Sequence, residues 1–153
     1  MTPNDFAALR DAVKQDEAFR AKPYDDATGQ AVFPGYTLKG KLTIGWGWNL
    51  SDDGISTAVA ATILDTTLEQ RFAELTQTHP VVLTLNGPRQ IVLANMAYNL
   101  GVPRLSSFVV MWAAIGRGDF NAAADEMLAS TWAHQVGARA TRLATEMRTG
   151  ALE

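Results

Sequence analysis

Three acidic residues and a hydroxyl lie in one short stretch of this 153-residue chain. Glu17 precedes the pair Asp25-Asp26, and Thr43 follows further along. Glycoside hydrolysis needs two carboxyl groups on opposite sides of the scissile bond, one protonated and one ionised. A glutamate on a helix and an aspartate at the next turn provide that asymmetry, so the stretch favours a carbohydrate-cleaving site. The structural alternative is a solvated helix end followed by an ordinary turn, since aspartates commonly form turns.

Aromatic side chains accompany these acids. Ring faces stack well on sugars because both surfaces are flat and apolar. The alternative is a small core for a sheet that has few other large side chains. The aromatic residues concerned are Phe33, Tyr36, Trp46 and Trp48.

The first element that must position the acids is a helix at the N-terminus. A capping hydroxyl at Thr2, the proline at Pro3 and the acid at Asp5 predict its start. Pro23 predicts its end at or before Lys22, because the residue before a proline disfavours helix.

The apolar stripe of this helix predicts where Glu17 points. Phe6, Leu9 and Val13 recur at helical spacing, and a projection at about 100° per residue places Glu17 on the same face. Burial there raises a carboxyl pKa, which is what a general acid requires. The alternative is that Glu17 lies at a frayed helix end and reaches solvent.

The remaining pattern predicts an α+β protein. Three extended segments, residues 30–33, 36–38 and 41–44, predict an antiparallel sheet of two or three strands. Helices are predicted at about residues 56–76, 86–100, 106–115, 120–130 and 137–148. We therefore expect one catalytic domain, residues 1–153, with a small sheet-containing lobe at about 1–55 and a helical lobe at about 56–153, joined by the long helix.

Composition excludes several kinds of function. The absence of cysteine rules out disulfides and thiolate metal sites. His79 and His134 have no metal-ligand spacing, so we expect no metal and no cofactor. The net charge of −3 and the lack of a basic run argue against nucleic acid. The six arginines from Asn86 onward are read as solvated helix faces, or alternatively as contacts to an anionic polymer. With no signal peptide and no long apolar run, we expect no stable membrane insertion. We also expect the protein to be a monomer.

At the acidic stretch the sequence resembles the phage-type lysozymes, or endolysins, of glycoside hydrolase family 24. That family has a Glu, eight further residues, an Asp, and then a Thr that opens a T-I-G-x-G run. Here these are Glu17, Asp26 and the run Thr43–Gly47. The resemblance selects Asp26 over Asp25 as the partner of Glu17.

The resemblance extends along nearly the whole chain. Asn95–Gly101 is similar to the family's N-M-x-[FY]-[QN]-x-G segment, and Met147–Gly150 is similar to its closing R-T-G segment. One departure is additional chain at about Val32 to Lys41, which we expect to enlarge the sheet or to form a flap. The resemblance implies a lysozyme-like fold with a cleft between the two lobes.

The resemblance also implies a reaction. A peptidoglycan hydrolase of this family cleaves the β-1,4 bond between N-acetylmuramic acid and N-acetylglucosamine. Glu17 would act as general acid, while Asp26 and Thr43 would hold and activate the attacking water. The enzyme would wait in the host cytoplasm until a holin releases it to the periplasm and cell wall. The alternatives are a lytic transglycosylase, which uses Glu17 without Asp26, and a non-enzymatic wall-binding module.

Seven further residues are predicted to bind substrate. Four occupy positions that the family uses near the sugar, namely Tyr98, Asn99, Met111 and Glu126. In the small lobe we predict substrate contacts at Tyr24, which matches a tyrosine of the family. We also predict contacts at Trp48 and Asn49, which differ from the family's usual residues.

Overall fold

The computed structural model describes all residues, Met1 to Glu153, as two compact units, Met1–Ala60 and Ala61–Glu153. The first unit contains one helix and a three-stranded antiparallel sheet. These elements are α1 (Pro3–Asp16), β1 (Arg20–Asp25), β2 (Leu42–Gly45) and β3 (Trp48–Asn49). The strand order is β1-β2-β3.

The rest of the chain is helical. The long helix α2 (Thr57–Thr78) begins in the first unit and is followed by a short 3₁₀ helix, Pro80–Thr84. The remaining helices are α3 (Gly87–Leu100), α4 (Val102–Ser106), α5 (Val109–Gly116), α6 (Phe120–Leu128), α7 (Thr131–Val136) and α8 (Ala138–Thr149). The predicted α+β class is confirmed. No helix combines the length and the apolar character that a membrane span requires.

Helix α1 begins and ends within its predicted limits. The Thr2 hydroxyl accepts a hydrogen bond from the Asp5 N–H at 3.3 Å, and the Asp5 carboxylate accepts one from the Thr2 N–H at 2.7 Å. The helix stops at Asp16, and Glu17 is its C-cap with extended backbone angles, φ −106° and ψ 116°. The predicted end at or before Lys22 is confirmed, and the helix stops well before that limit because residues 20–25 pair with β2.

The apolar face of α1 is exposed. Phe6, Leu9 and Val13 are all at least two-fifths exposed, and α1 has no buried residue. Glu17 is exposed as well. The prediction that Glu17 continues a buried stripe was therefore wrong, and of the two readings the solvated helix end is confirmed.

The predicted antiparallel sheet is confirmed, but only one of the three predicted segments, 41–44, corresponds to a strand, β2. Residues 30–33 and 36–38 form no strand, and only Ala31 makes an isolated bridge, to Tyr24. The other two strands, β1 and β3, were not predicted. Pro23 is tolerated in β1 because β1 lies at the edge of the sheet.

Helix α3, predicted at about residues 86–100, contributes to the core of the second unit. The Asn86 side chain caps its start by accepting the Arg89 N–H at 3.3 Å. Gly101 ends it with φ 77°, a left-handed value that glycine adopts without strain. Four of its side chains are fully buried, namely Val92, Leu93, Met96 and Ala97.

One buried carboxylate in this unit is only half satisfied. Glu146 on α8 is 1% exposed, and its Oε1 accepts a hydrogen bond from Arg142 Nη1 at 2.7 Å. Its Oε2 has no partner. Because a buried charge is costly without a partner, Arg142 is essential to this arrangement.

We expect Arg142→Ala to lower the free energy of unfolding by about 1–3 kcal/mol, because it strands the Glu146 carboxylate. The double variant Arg142→Ala/Glu146→Gln should recover part of that loss. Urea unfolding of the wild type, the two single variants and the double variant measures these changes in the free energy of unfolding. Arg71→Ala is the matched control, since the Arg71–Glu74 pair is about two-fifths exposed on both sides. An equal loss in both arginine variants would contradict the expectation.

Candidate active site

Glu17 presents a free carboxylate at the end of α1. Its backbone N–H donates to the Val13 carbonyl at 2.9 Å, which closes the helix. The carboxylate lies directly over Gly47, because a Cβ placed on Gly47 would be 3.0 Å from Glu17 Oε2. Gly47 also has φ 71°, a backbone conformation that favours glycine. Within Met1–Ala60, no hydrogen bond or ion pair engages the Glu17 carboxylate.

Asp26 follows the last residue of β1 and is held by the backbone of Lys41. Its N–H donates to the Lys41 carbonyl at 3.1 Å, and its Oδ1 accepts from the Lys41 N–H at 2.6 Å. The side chain is exposed. Within Met1–Ala60 its Oδ2 accepts no hydrogen bond, so one carboxylate oxygen is fixed and the other remains available.

Thr43 is connected to Asp26 through the Lys41 carbonyl, which accepts a hydrogen bond from each of them. The Thr43 hydroxyl donates to the Lys41 carbonyl at 3.3 Å, and the residue is 4% exposed on β2. Since the hydroxyl proton is committed to that carbonyl, the Oγ1 lone pairs are left to accept. A water that donates to both Thr43 Oγ1 and Asp26 Oδ2 would be held for attack and deprotonated by the carboxylate.

Asp25, the neighbour of Asp26, is in a different environment. It is fully buried, and its two oxygens accept four hydrogen bonds. The backbone N–H of Lys39 is the main cause that lowers the pKa of the Asp25 carboxyl from its ordinary value of 3.8. Burial opposes that shift, and the hydroxyl of Tyr36 and the N–H groups of Ala27 and Gly40 reinforce it. A carboxylate with both oxygens engaged is suited to holding structure, whereas the exposed Asp26 is suited to proton transfer.

The three small-lobe residues predicted to bind substrate differ in how free they are. The Trp48 ring is 47% exposed while its Nε1 donates to the Gly54 carbonyl at 2.7 Å. The Asn49 amide is engaged by Asp52 on both sides, at 2.8 and 3.1 Å. Tyr24 is half-buried, and the Arg20 guanidinium covers its ring at 4.4 Å.

Trp46 is also exposed, at 43%, but its ring is not free. The Phe19 ring lies 4.7 Å away, and Lys14 Nζ lies 4.7 Å from its centroid. The alternative reading of Trp46, a core residue of the sheet, is therefore wrong, since this small aromatic cluster is at the surface.

The second unit has its own pocket, of about 400 Å³. It is lined by two of the predicted residues, Met111 and Glu126, and by Trp132. Met111 is fully buried, and Glu126 is half-buried. The Trp132 Nε1 donates to Asn99 Oδ1 at 2.9 Å, which places Asn99 beside the pocket wall. Tyr98, next to Asn99 on α3, is 44% exposed and does not line the pocket.

Sequence reasoning missed four residues at these places. Lys41 contributes only backbone groups, and Gly40 contributes a backbone N–H and its lack of a side chain, so neither carries a chemical signal in the sequence. Arg104 and Trp132 line the pocket of the second unit. The tryptophan could have been found as a large apolar residue near the start of a short helix.

Comparison with known proteins gives one match. Residues 14–148 match the model of the phage lysozyme family, and this span includes every residue discussed above as a candidate. A search among curated proteins found no match.

Proposed function

We propose a specific reaction for this chain, which belongs to the phage lysozyme family and is a peptidoglycan-hydrolysing glycosidase of the endolysin type. The reaction is hydrolysis of the β-1,4 bond between N-acetylmuramic acid and N-acetylglucosamine. Glu17 protonates the leaving oxygen, and Asp26 with Thr43 holds and deprotonates the attacking water. Sugar contacts are assigned to the seven residues predicted above.

The observation that carries the proposal is the way the backbone of Lys41 holds Asp26 and Thr43. This backbone engages Asp26 through both its N–H and its carbonyl, and that carbonyl also accepts the Thr43 hydroxyl. A base and a second acceptor held by the backbone of one residue can share a single water, because positioning a nucleophile removes much of its entropic barrier. The carboxyl group of Glu17, which no other group of Met1–Ala60 engages, supplies in its protonated form the separate acid that glycoside hydrolysis requires.

Direct attack by water makes this an inverting reaction, which needs about 6.5–9.5 Å between the two carboxyl groups to leave room for the water. The enzyme acts as a monomer and reaches the periplasm and cell wall from the host cytoplasm through a holin. This last part of the proposal rests on the family resemblance alone.

The products distinguish hydrolysis from lytic transglycosylation. We expect digestion of purified peptidoglycan in H₂¹⁸O to yield reducing N-acetylmuramic acid ends that carry one ¹⁸O, because water is the nucleophile. Mass spectrometry of the muropeptides measures this. Ends of the 1,6-anhydro form, lighter by one water and without ¹⁸O, would instead assign the transglycosylase reaction. Proton NMR during digestion should show the α-anomer first if the reaction inverts.

A further inference from the structure

The additional chain at 32–41 is anchored by the buried carboxylate of Asp25. Oδ2 accepts from the Lys39 N–H at 2.7 Å and from the Tyr36 hydroxyl at 2.9 Å. Oδ1 accepts from the Gly40 N–H at 3.0 Å and from the Ala27 N–H at 3.0 Å. Three of the four donors thus belong to the segment 36–40. Hydrogen bonds to an ionised group are roughly twice as strong as neutral ones, so this segment is held firmly against the turn.

The Tyr36 hydroxyl is itself fixed. It donates to Asp25, and it lies 2.8 Å from the Thr28 hydroxyl. Because the tyrosine has one proton and gives it to the carboxylate, Thr28 must donate to the tyrosine oxygen. The turn and the added segment are therefore joined by two side-chain hydrogen bonds in series.

The segment ends against the Asp26 carboxylate. Gly40 approaches so closely that a Cβ there would lie 2.1 Å from Asp26 Oδ1 and 2.7 Å from the Ala27 Cβ. The next residue, Lys41, gives its N–H to the same oxygen at 2.6 Å. The Gly40 backbone thus blocks one side of the carboxylate, while the Lys41 N–H fixes its rotation.

We propose that Asp25, acting through the Tyr36–Lys41 segment, is the positioning residue that orients Asp26 so that Oδ2 faces the attacking water. The inference rests on the proposed function, in which Asp26 is the base. Asp25 does not touch substrate. Asp25 holds the backbone of Lys39 and Gly40, and the adjoining Lys41 N–H holds Asp26. The added segment therefore serves catalysis by positioning Asp26 and does not act as a flap.

Three substitutions test this with graded severity. Gly40→Ala places a methyl group on the Asp26 oxygen, Asp25→Asn removes the charge and converts one acceptor into a donor, and Tyr36→Phe removes one of the four donors. The last keeps the ring contact with Phe33, whose centroid is 5.4 Å away, and should fold normally. Kinetics on soluble peptidoglycan oligomers should show kcat reduced about 10- to 100-fold for the first two, because a displacement near 1 Å has that effect. Tyr36→Phe should show a smaller loss, and KM should be unchanged throughout.

Matched controls separate positioning from general destabilisation. Gly116→Ala meets no atom within 4 Å, and Asp11→Asn alters an exposed residue in the middle of α1. Both should keep wild-type kcat. Amide hydrogen exchange at Lys41 should be faster in Asp25→Asn and Tyr36→Phe than in the wild type, because the segment is released.

The outcomes distinguish this inference from the proposed function. If Asp26→Asn is inactive while the three variants match their controls in kcat, the positioning inference is overturned and the function stands. A raised KM with unchanged kcat overturns it too, since the segment would then bind substrate directly. If Asp26→Asn retains full activity, the base assignment itself fails, whatever the other variants do.

Discussion

Glu17→Gln should lower the rate of peptidoglycan cleavage by about 10²–10⁴-fold, the usual contribution of a general acid. Glutamine has nearly the shape of glutamate, so it can occupy the same position over Gly47 but has no acidic proton to give. Turbidity clearing of permeabilised cells and release of reducing ends from purified peptidoglycan both measure the loss.

Asp16→Asn is the matched control for this variant. It changes the charge of the neighbouring residue, the last of α1, and should leave the rate within about twofold, because an exposed charge a residue away has little effect. Sedimentation with insoluble peptidoglycan should show that Glu17→Gln still binds. Undiminished clearing by this variant would exclude Glu17 as the general acid, whereas a wild type that binds peptidoglycan and releases no reducing ends would favour a wall-binding module.

Asp26→Asn should cause a loss of similar size, about 10²–10⁴-fold in kcat. The asparagine Oδ1 can still accept the Lys41 N–H, so the local geometry is kept while the proton acceptor is lost. Steady-state kinetics on defined oligomers, with unfolding curves to verify the fold, measure this. A lytic transglycosylase would not need Asp26, so the variant also tests that alternative.

Asp53→Asn serves as the control here, since it alters an exposed aspartate in the loop after β3. Its kcat should match the wild type. If Asp26→Asn and Asp53→Asn were equally active, water activation by Asp26 would be refuted, even if Glu17→Gln were inactive.

Much of the helical structure could be predicted because its signals are local. The Thr2 hydroxyl caps α1 as predicted, and the caps at Asn86, Asp119 and Gly101 lie at or beside the predicted ends of their helices, because each acts within a few residues of chain. The spacing of Glu17, Asp26 and Thr43 was also readable, because it depends on residue types alone. The family match agrees with the resemblance drawn from that spacing.

The boundary after α1 could not be predicted. Residues 17–22 contain no helix breaker, so Pro23 set only the latest possible end of the helix. In the structure, Arg20 instead pairs with Gly45, far along the chain. Strand pairing depends on a partner that local sequence does not reveal, and it overrides weak helix propensity. For the same reason Glu17 became an exposed cap rather than part of a buried stripe.

The sequence by itself predicted the α+β class and most of the helices, though not α4 or α7, and its family resemblance named the candidate acid and base. Only the tertiary structure decided that Asp25 is buried and committed while Asp26 is exposed, although the two are chemically identical neighbours. The donors responsible, at Lys39, Gly40 and Lys41, are backbone N–H groups, which every residue except proline possesses. These N–H groups converge on the two carboxylates because of the path of the folded chain, and the types of residue in the sequence do not reveal that path.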